Sequence, residues 1–302
     1  METGQVDGGQ KEGAPEEFKG RLAPGKDWTE IVAWVSDLPP LPHVASQAIV
    51  LVEDPDATAQ QLTNLLGQDT ALAARVLKIA NSAMFSRQRE ITTLNQAIMT
   101  IGFKALKGII VAATLRQLNR SFGAIEKAIW ENSTCTAISA MNLSSILKKP
   151  YVDEAFLLGL LHDLGKLVLV RQIPNDYKKV VEATKNGSLF VDAEQDFFGY
   201  AHPLIGALVA KKWNFSLDTC QIILHHHDPL EAPFENPVDE KTAVIQAADA
   251  VAHTLGYGHL PGYPDLTPEL DKLLAKIGIT QPTAEILEKM KEANAQQSSV
   301  FN

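Results

Sequence analysis

The stretch Leu160-Leu161-His162-Asp163-Leu164-Gly165-Lys166 sets an imidazole, a carboxylate and an ammonium group directly after an apolar run that includes Phe156-Leu157-Leu158. A helix that apolar belongs in the core, and its polar end is carried in with it. Buried charges are costly unless they are paired or hold a cation. Any fold open to this chain must therefore bring partners for His162, Asp163 and Lys166 from distant parts of the sequence. Adjacent imidazole and carboxylate groups suit a divalent metal of the iron, manganese or zinc kind.

The surrounding periodicity is helical. Thr58-Ala59-Gln60-Gln61 and Thr93-Leu94-Asn95-Gln96 both have the spacing of a capping box. Asp69 is placed to cap a helix whose Leu72, Val76 and Ile79 share one face. Small and polar residues follow in Ala80-Asn81-Ser82-Ala83, suited to a packed turn. Gly102 ends the next helix, and residues 104–118 form another. Longer helices are expected over 125–147, 175–186 and 239–255. Asp153 is expected to cap the helix that ends in His162-Asp163. Pro203 suits the first turn of a helix opened by His202, Ser216 caps the helix ending in His225-His226-His227, and Thr267 is expected to cap a closing helix with Pro268 in its first turn. No alternating strand and no fixed-period repeat is found. The expected class is all-α, roughly a dozen helices in two packed subdomains. The expected boundaries are a flexible tail over 1–27, an N-terminal helical subdomain over 28–121, a metal-site subdomain over 122–256, and a closing loop with helices over 257–302.

Composition narrows the function. The 302 residues carry a net charge of -9, with 45% hydrophobic and 21% charged residues. That balance, with no cluster of Lys and Arg in the sequence, argues against a polyanion-binding surface, so nucleic acid is not an expected ligand. Only two cysteines occur, Cys135 and Cys220, both in helical sequence, and they are expected as buried thiols rather than a disulfide. The first 20 residues have no apolar leader, and no stretch approaches the ~20 apolar residues of a membrane span. A soluble cytoplasmic protein without membrane contact is expected.

The second half collects polar residues on faces otherwise filled by apolar or small ones: Asn132, His162, Asp163, His202, His226, His227 and Asp249. Five of the eight histidines, 162, 202, 225, 226 and 227, lie between residues 162 and 227. Singly, each could be a satisfied core or capping histidine. Together they are hard to bury without a cation, although three consecutive histidines cannot all face one point.

This arrangement resembles the HD superfamily of metal-dependent phosphohydrolases, and within it the HDOD branch. The resemblance spans about residues 28–256. It rests on Leu38-Pro39-Pro40-Leu41-Pro42, Asp69-Thr70-Ala71-Leu72, Leu77 to Ser82, and Ala97-Ile98 through Gly102. In the second half it rests on His162 to Lys166, His202-Pro203 through Gly206, and His226-His227-Asp228-Pro229. It implies an HD-like multi-helix domain and a metal site built from His162, Asp163, His202, His226, His227 and Asp249, holding one or two divalent ions of iron, manganese or zinc. Lys166 matches a lysine beside the scissile phosphate and is the candidate catalytic residue. Where active HD enzymes place a leading histidine, this chain has Asn132, and an amide is a poor ligand for such metals. Gly262-Tyr263-Pro264 lies more than 30 residues beyond the double histidine, too far to match the motif of the cyclic-dinucleotide enzymes. The resemblance therefore implies a bacterial signalling or regulatory module, with a protein partner and a partly retained metal site. The alternative is a phosphohydrolase acting on a nucleotide or another phosphate ester, and in either case a phosphate-containing ligand fits.

Overall fold

Helix signals dominate the chain, and the computed structural model follows them, describing residues 15, 18, 20–38, 40–82, 85, 91–118, 123–258 and 263–297. Most of the expected tail, together with Pro39, Ala83 and Gly262, lies outside the described residues. The first half runs through α1 (Trp28–Ser36), α2 (His43–Glu53), α3 (Ala59–Leu66), α4 (Thr70–Ala80), α5 (Leu94–Ile101) and α6 (Phe103–Leu118). The second half has α7 (Ala124–Ile146), α8 (Val152–Leu161), α9 (Leu164–Gln172), α10 (Pro174–Lys185), α11 (Phe190–Phe198), α12 (His202–Lys212), α13 (Leu217–His225) and α14 (Pro237–Thr254). Helices α15 (Thr267–Lys276) and α16 (Thr283–Gln297) follow. No strand occurs among the described residues, so the protein is all-α.

Local chemistry explains most boundaries. Thr58 and Gln61 form a complete capping box, each side chain satisfying the other's backbone N–H. Asp69 accepts the N–H of Leu72 at 2.9 Å and so starts α4. Three expectations are corrected. Thr93 accepts from Gln96 N–H, but the Gln96 amide oxygen takes the N–H of Thr92 instead of Thr93, so the second half of that box slips by one residue. Asp153 is not the cap of α8; the cap position is Tyr151, and Asp153 lies in the first turn, where its charge complements the positive end of the helix dipole. Thr267 is the first residue of α15, and Asp265 accepts its N–H. The sixteen described helices also exceed the expected dozen, because the chain breaks at short turns such as His162-Asp163, and because α11 was not foreseen.

One buried apolar cluster runs from Phe18 through α2, α4 and α6 into α8, α9, α12 and Tyr263. Helix α6 joins the halves: it packs on α2 and α4 and, on its other side, on α8. The Lys212 ammonium group on α12 closes the C-terminal end of α1, donating to the carbonyls of Val35, Ser36 and Leu38. At the end of α4, the Asn81 amide donates to the carbonyls of Leu77 (3.0 Å) and Ile91 (2.7 Å) and accepts the Ile91 N–H (2.7 Å). It thereby ties that helix to the segment entering α5. Both cysteines are buried and unbridged. Among the described residues, no helix is long and apolar enough to cross a membrane.

Candidate metal centre

The His162-Asp163 turn separates α8 from α9, with His162 at the C-cap position of one helix and Asp163 at the N-cap position of the next. Close helix crossings hold it in place. A Cβ on Gly159 would fall 2.7 Å from the Ala137 Cα, so glycine lets α8 lie directly on α7. A Cβ on Gly165 would fall 2.0 Å from the His202 carbonyl oxygen, so only glycine allows the start of α9 to meet the start of α12. That second crossing sets Asp163 against His202. Helix α13 packs on α12 and ends at His225, which delivers His226 and His227 to the same point.

One ligand atom from each of Asp163, His202, His226 and His227 lies within 4.8 Å of the others. His202 Nε2 stands 3.3 Å from His226 Nε2, 3.1 Å from His227 Nε2 and 3.2 Å from Asp163 Oδ1. The protons on two of these rings are assigned from what the opposite nitrogens face. His202 Nδ1 faces the Glu194 carboxylate at 2.6 Å, and His226 Nδ1 faces the Ile223 carbonyl at 2.7 Å. In the neutral rings both Nε2 atoms are then acceptors, directed at each other and at a carboxylate oxygen without a hydrogen-bond donor. Such a convergence of lone pairs repels itself unless a cation sits among them. The donor set, three imidazoles and one carboxylate, fits a transition-metal ion, so these four residues could hold one.

The electrostatics favour the ligating protonation states. Burial, reinforced by neighbouring rings, holds His226 down to about 4 and His227 well below the ordinary histidine range. Burial alone would raise Asp163, but His162, Lys166 and the facing imidazoles overrule it and hold the carboxyl well below its usual range. His225, the third member of the run, turns away, bonding Asp228 and Arg21. Arg21 also pairs with Asp228, and the Gln246 amide donates to the Asp228 carbonyl at 2.7 Å, so the turn carrying the two inward histidines is clamped from both sides.

His162 and Asp249 stand beside this group rather than within it. His162 donates through Nδ1 to the Gly159 carbonyl at 2.7 Å, and its Nε2 lies 3.4 Å from both Asp163 Oδ2 and Asp249 Oδ1. Burial opposes a charge on His162, but the two carboxylates outweigh it and raise its pKa. Lys166 donates to Asp163 Oδ2 at 2.8 Å and lies 4.8 Å above the Phe190 ring, almost wholly buried. Asn132 donates to Asp249 Oδ1 at 3.1 Å.

Sequence inspection missed three participants. Glu194, on the unforeseen α11, is wholly buried behind His202. Tyr177 donates to Glu194 at 2.6 Å. His253 lies one turn beyond Asp249, its Nε2 3.5 Å from Asp249 Oδ1 and its ring stacked on Tyr263. The four-residue spacing from Asp249 was a signal for His253; nothing in the local pattern around Glu194 pointed to His202. Over the centre opens a cleft of about 580 Å³, with His226, His227 and Asp249 on its floor and Tyr263, Lys272 and Lys276 on its walls.

The family model of the HDOD domain matches residues 38–229, more than half of the chain. The chain belongs to the HDOD family. It is 25% identical over 205 residues to an uncharacterized protein of Treponema pallidum, across 67% of this chain and 40% of that protein, so it corresponds to less than half of that relative's length. Among solved structures, a Shewanella amazonensis protein provisionally named a phosphohydrolase superimposes with a TM-score of 0.72 at 24% identity, covering 90% of this chain and 96% of the other. A Marinobacter aquaeolei protein, provisionally named a signal transduction protein, superimposes with a TM-score of 0.64 at 19% identity, covering 94% of this HDOD chain and 62% of the other. These likenesses are of fold.

Proposed function

We propose that this chain is a signalling or regulatory HDOD module built around a single-metal centre, with little or no hydrolysis of phosphate esters. Asp163, His202, His226 and His227 would hold the ion, and its chemistry when bound would be that of a Lewis acid fixing the relative position of α9, α12 and α13. The observation that carries this reading is the contrast between the two sides of Asp163. On one side four metal-ligand atoms converge; on the other, the protein's own hydrogen-bond donors, Lys166 and Asn132, already occupy one oxygen each of Asp163 and Asp249. A binuclear hydrolase needs both sides free for metal. The regulatory output then runs through a protein partner that reads the helical surface.

A second reading, a phosphohydrolase acting on a nucleotide or another phosphate ester, draws on the cleft of about 580 Å³ that His226, His227 and Asp249 line, and on the Lys166 ammonium group buried beside Asp163. The two readings separate in one assay, hydrolysis of bis-p-nitrophenyl phosphate by protein loaded with iron, manganese or zinc. Regulatory modules give negligible turnover. Turnover that Asp163→Ala abolishes would establish the enzyme instead.

A further inference from the structure

Behind His202, on the side away from the converging donors, lies a carboxylate that no lysine or arginine pairs with among the described residues. Glu194 is completely buried in α11. Its Oε2 accepts both the backbone N–H of His202 at 2.7 Å and the ring Nδ1–H at 2.6 Å, and its Oε1 accepts the Tyr177 hydroxyl at 2.6 Å. Tyr177 is itself fully buried and stacked between Phe190 and Phe198, so its hydroxyl has a fixed position. Two neutral residues thus hold one buried anion on the rear of one imidazole. Packing alone gives no reason to bury a charge there.

The ring has a competing choice. Asp163 Oδ1 lies 3.2 Å from His202 Nε2 and would attract a proton to that nitrogen. With its proton on Nε2, His202 could bond Asp163 but could not ligate. An acceptor at Nδ1 reverses that preference, since the proton of a neutral imidazole goes to the nitrogen whose partner holds it better. We infer that Glu194 is the positioning residue of His202: it fixes the Nδ1–H form, turns the Nε2 lone pair toward Asp163, His226 and His227, and is itself held by Tyr177. The assignment rests on the donor group being a metal centre.

The test uses metal-stripped full-length protein titrated with Mn2+ and with Zn2+, comparing wild type with Glu194→Leu, Glu194→Gln and Tyr177→Phe. Glu194→Leu is expected to weaken affinity by about 100-fold, and Tyr177→Phe by up to about 10-fold. Glu194→Gln falls between, because its amide oxygen still accepts from Nδ1 without the charge. The readout that a purely structural role would not move is the ring tautomer, from long-range proton–nitrogen correlation spectra of the metal-free protein. Wild-type His202 shows the Nδ1–H form, and Glu194→Leu shifts it toward Nε2–H. Should the leucine variant not fold, the glutamine and phenylalanine variants decide by affinity. Variants that bind metal as wild type does, with the tautomer unchanged, overturn the assignment alone. Wild type that binds neither ion overturns the reading of the centre and the assignment with it.

Discussion

The Asn132 amide donates to Asp249 Oδ1 at 3.1 Å, across the gap between α7 and α14. A hydrogen-bond donor thus stands on a carboxylate oxygen at the position where the resemblance to HD enzymes implies a leading histidine. Asn132→His removes that donor and supplies a ligand nitrogen to the group that already contains His162 and Asp249. The expected outcome is a rise from about one to about two metal ions per chain by elemental analysis, with weak hydrolysis following. A Cβ on Gly258 would lie only 2.5 Å from the Asn132 Cβ, so the ring enters a crowded place and lowers stability by about 1–3 kcal/mol. Unchanged stoichiometry would show that Asn132 is not what limits the second position.

Among the described residues the first half holds no comparable group of ligand atoms, and Asn81 there is a structural tie. Its side chain makes three bonds, two of them to Ile91, ten residues away. Asn81→Ala leaves those backbone groups of Ile91 without their partner. Denaturant melts are expected to show a loss of about 1–3 kcal/mol, with metal content unchanged. Loss of metal in this variant would mean that the first half supports the centre more directly than its position indicates.

Alkaline stability tests the burial of Cys135. Burial pushes this thiol up to about 12, with the Asp249 charge adding to it and a Ser139 contact opposing it. A thiol in the unfolded chain ionises near ~8.5. The raised native value means that the contribution is fully present below that pH and is lost as pH rises toward about 12. Wild type is therefore expected to lose stability relative to Cys135→Ala between about 8.5 and 12, with a constant difference at lower pH. In the same protein Cys135 resists iodoacetamide at pH 8 until denaturant is added. Parallel pH curves for the two proteins would show that the thiol ionises freely in the fold.

The sequence made the helical class legible because caps and periodicity agree in several elements, as at Thr58-Gln61 and Asp69. It also singled out the four residues that converge, since His162-Asp163, His202-Pro203 and His226-His227 are conspicuous in apolar surroundings. Glu194 stayed hidden. Its helix buries Phe190, Ala193 and Phe198 on one face, and the acid on that face has no partner within the helix to explain it, because its partner His202 lies across a turn whose geometry only the fold reveals. The same is true of Arg21, which reaches Asp228 from the other end of the chain. Which oxygens of Asp163 and Asp249 are occupied is likewise a matter of side-chain direction, and residue spacing does not encode it.

Metal content of the purified protein tests the central claim most directly. After incubation with iron, manganese and zinc and removal of the excess, elemental analysis is expected to give about one ion per chain for wild type. His202→Ala and His227→Ala should lose it, while Asn81→Ala keeps it. Wild type that retains no metal under these conditions would contradict the claim, and the convergence of Asp163, His202, His226 and His227 would then be held by protons and hydrogen bonds alone.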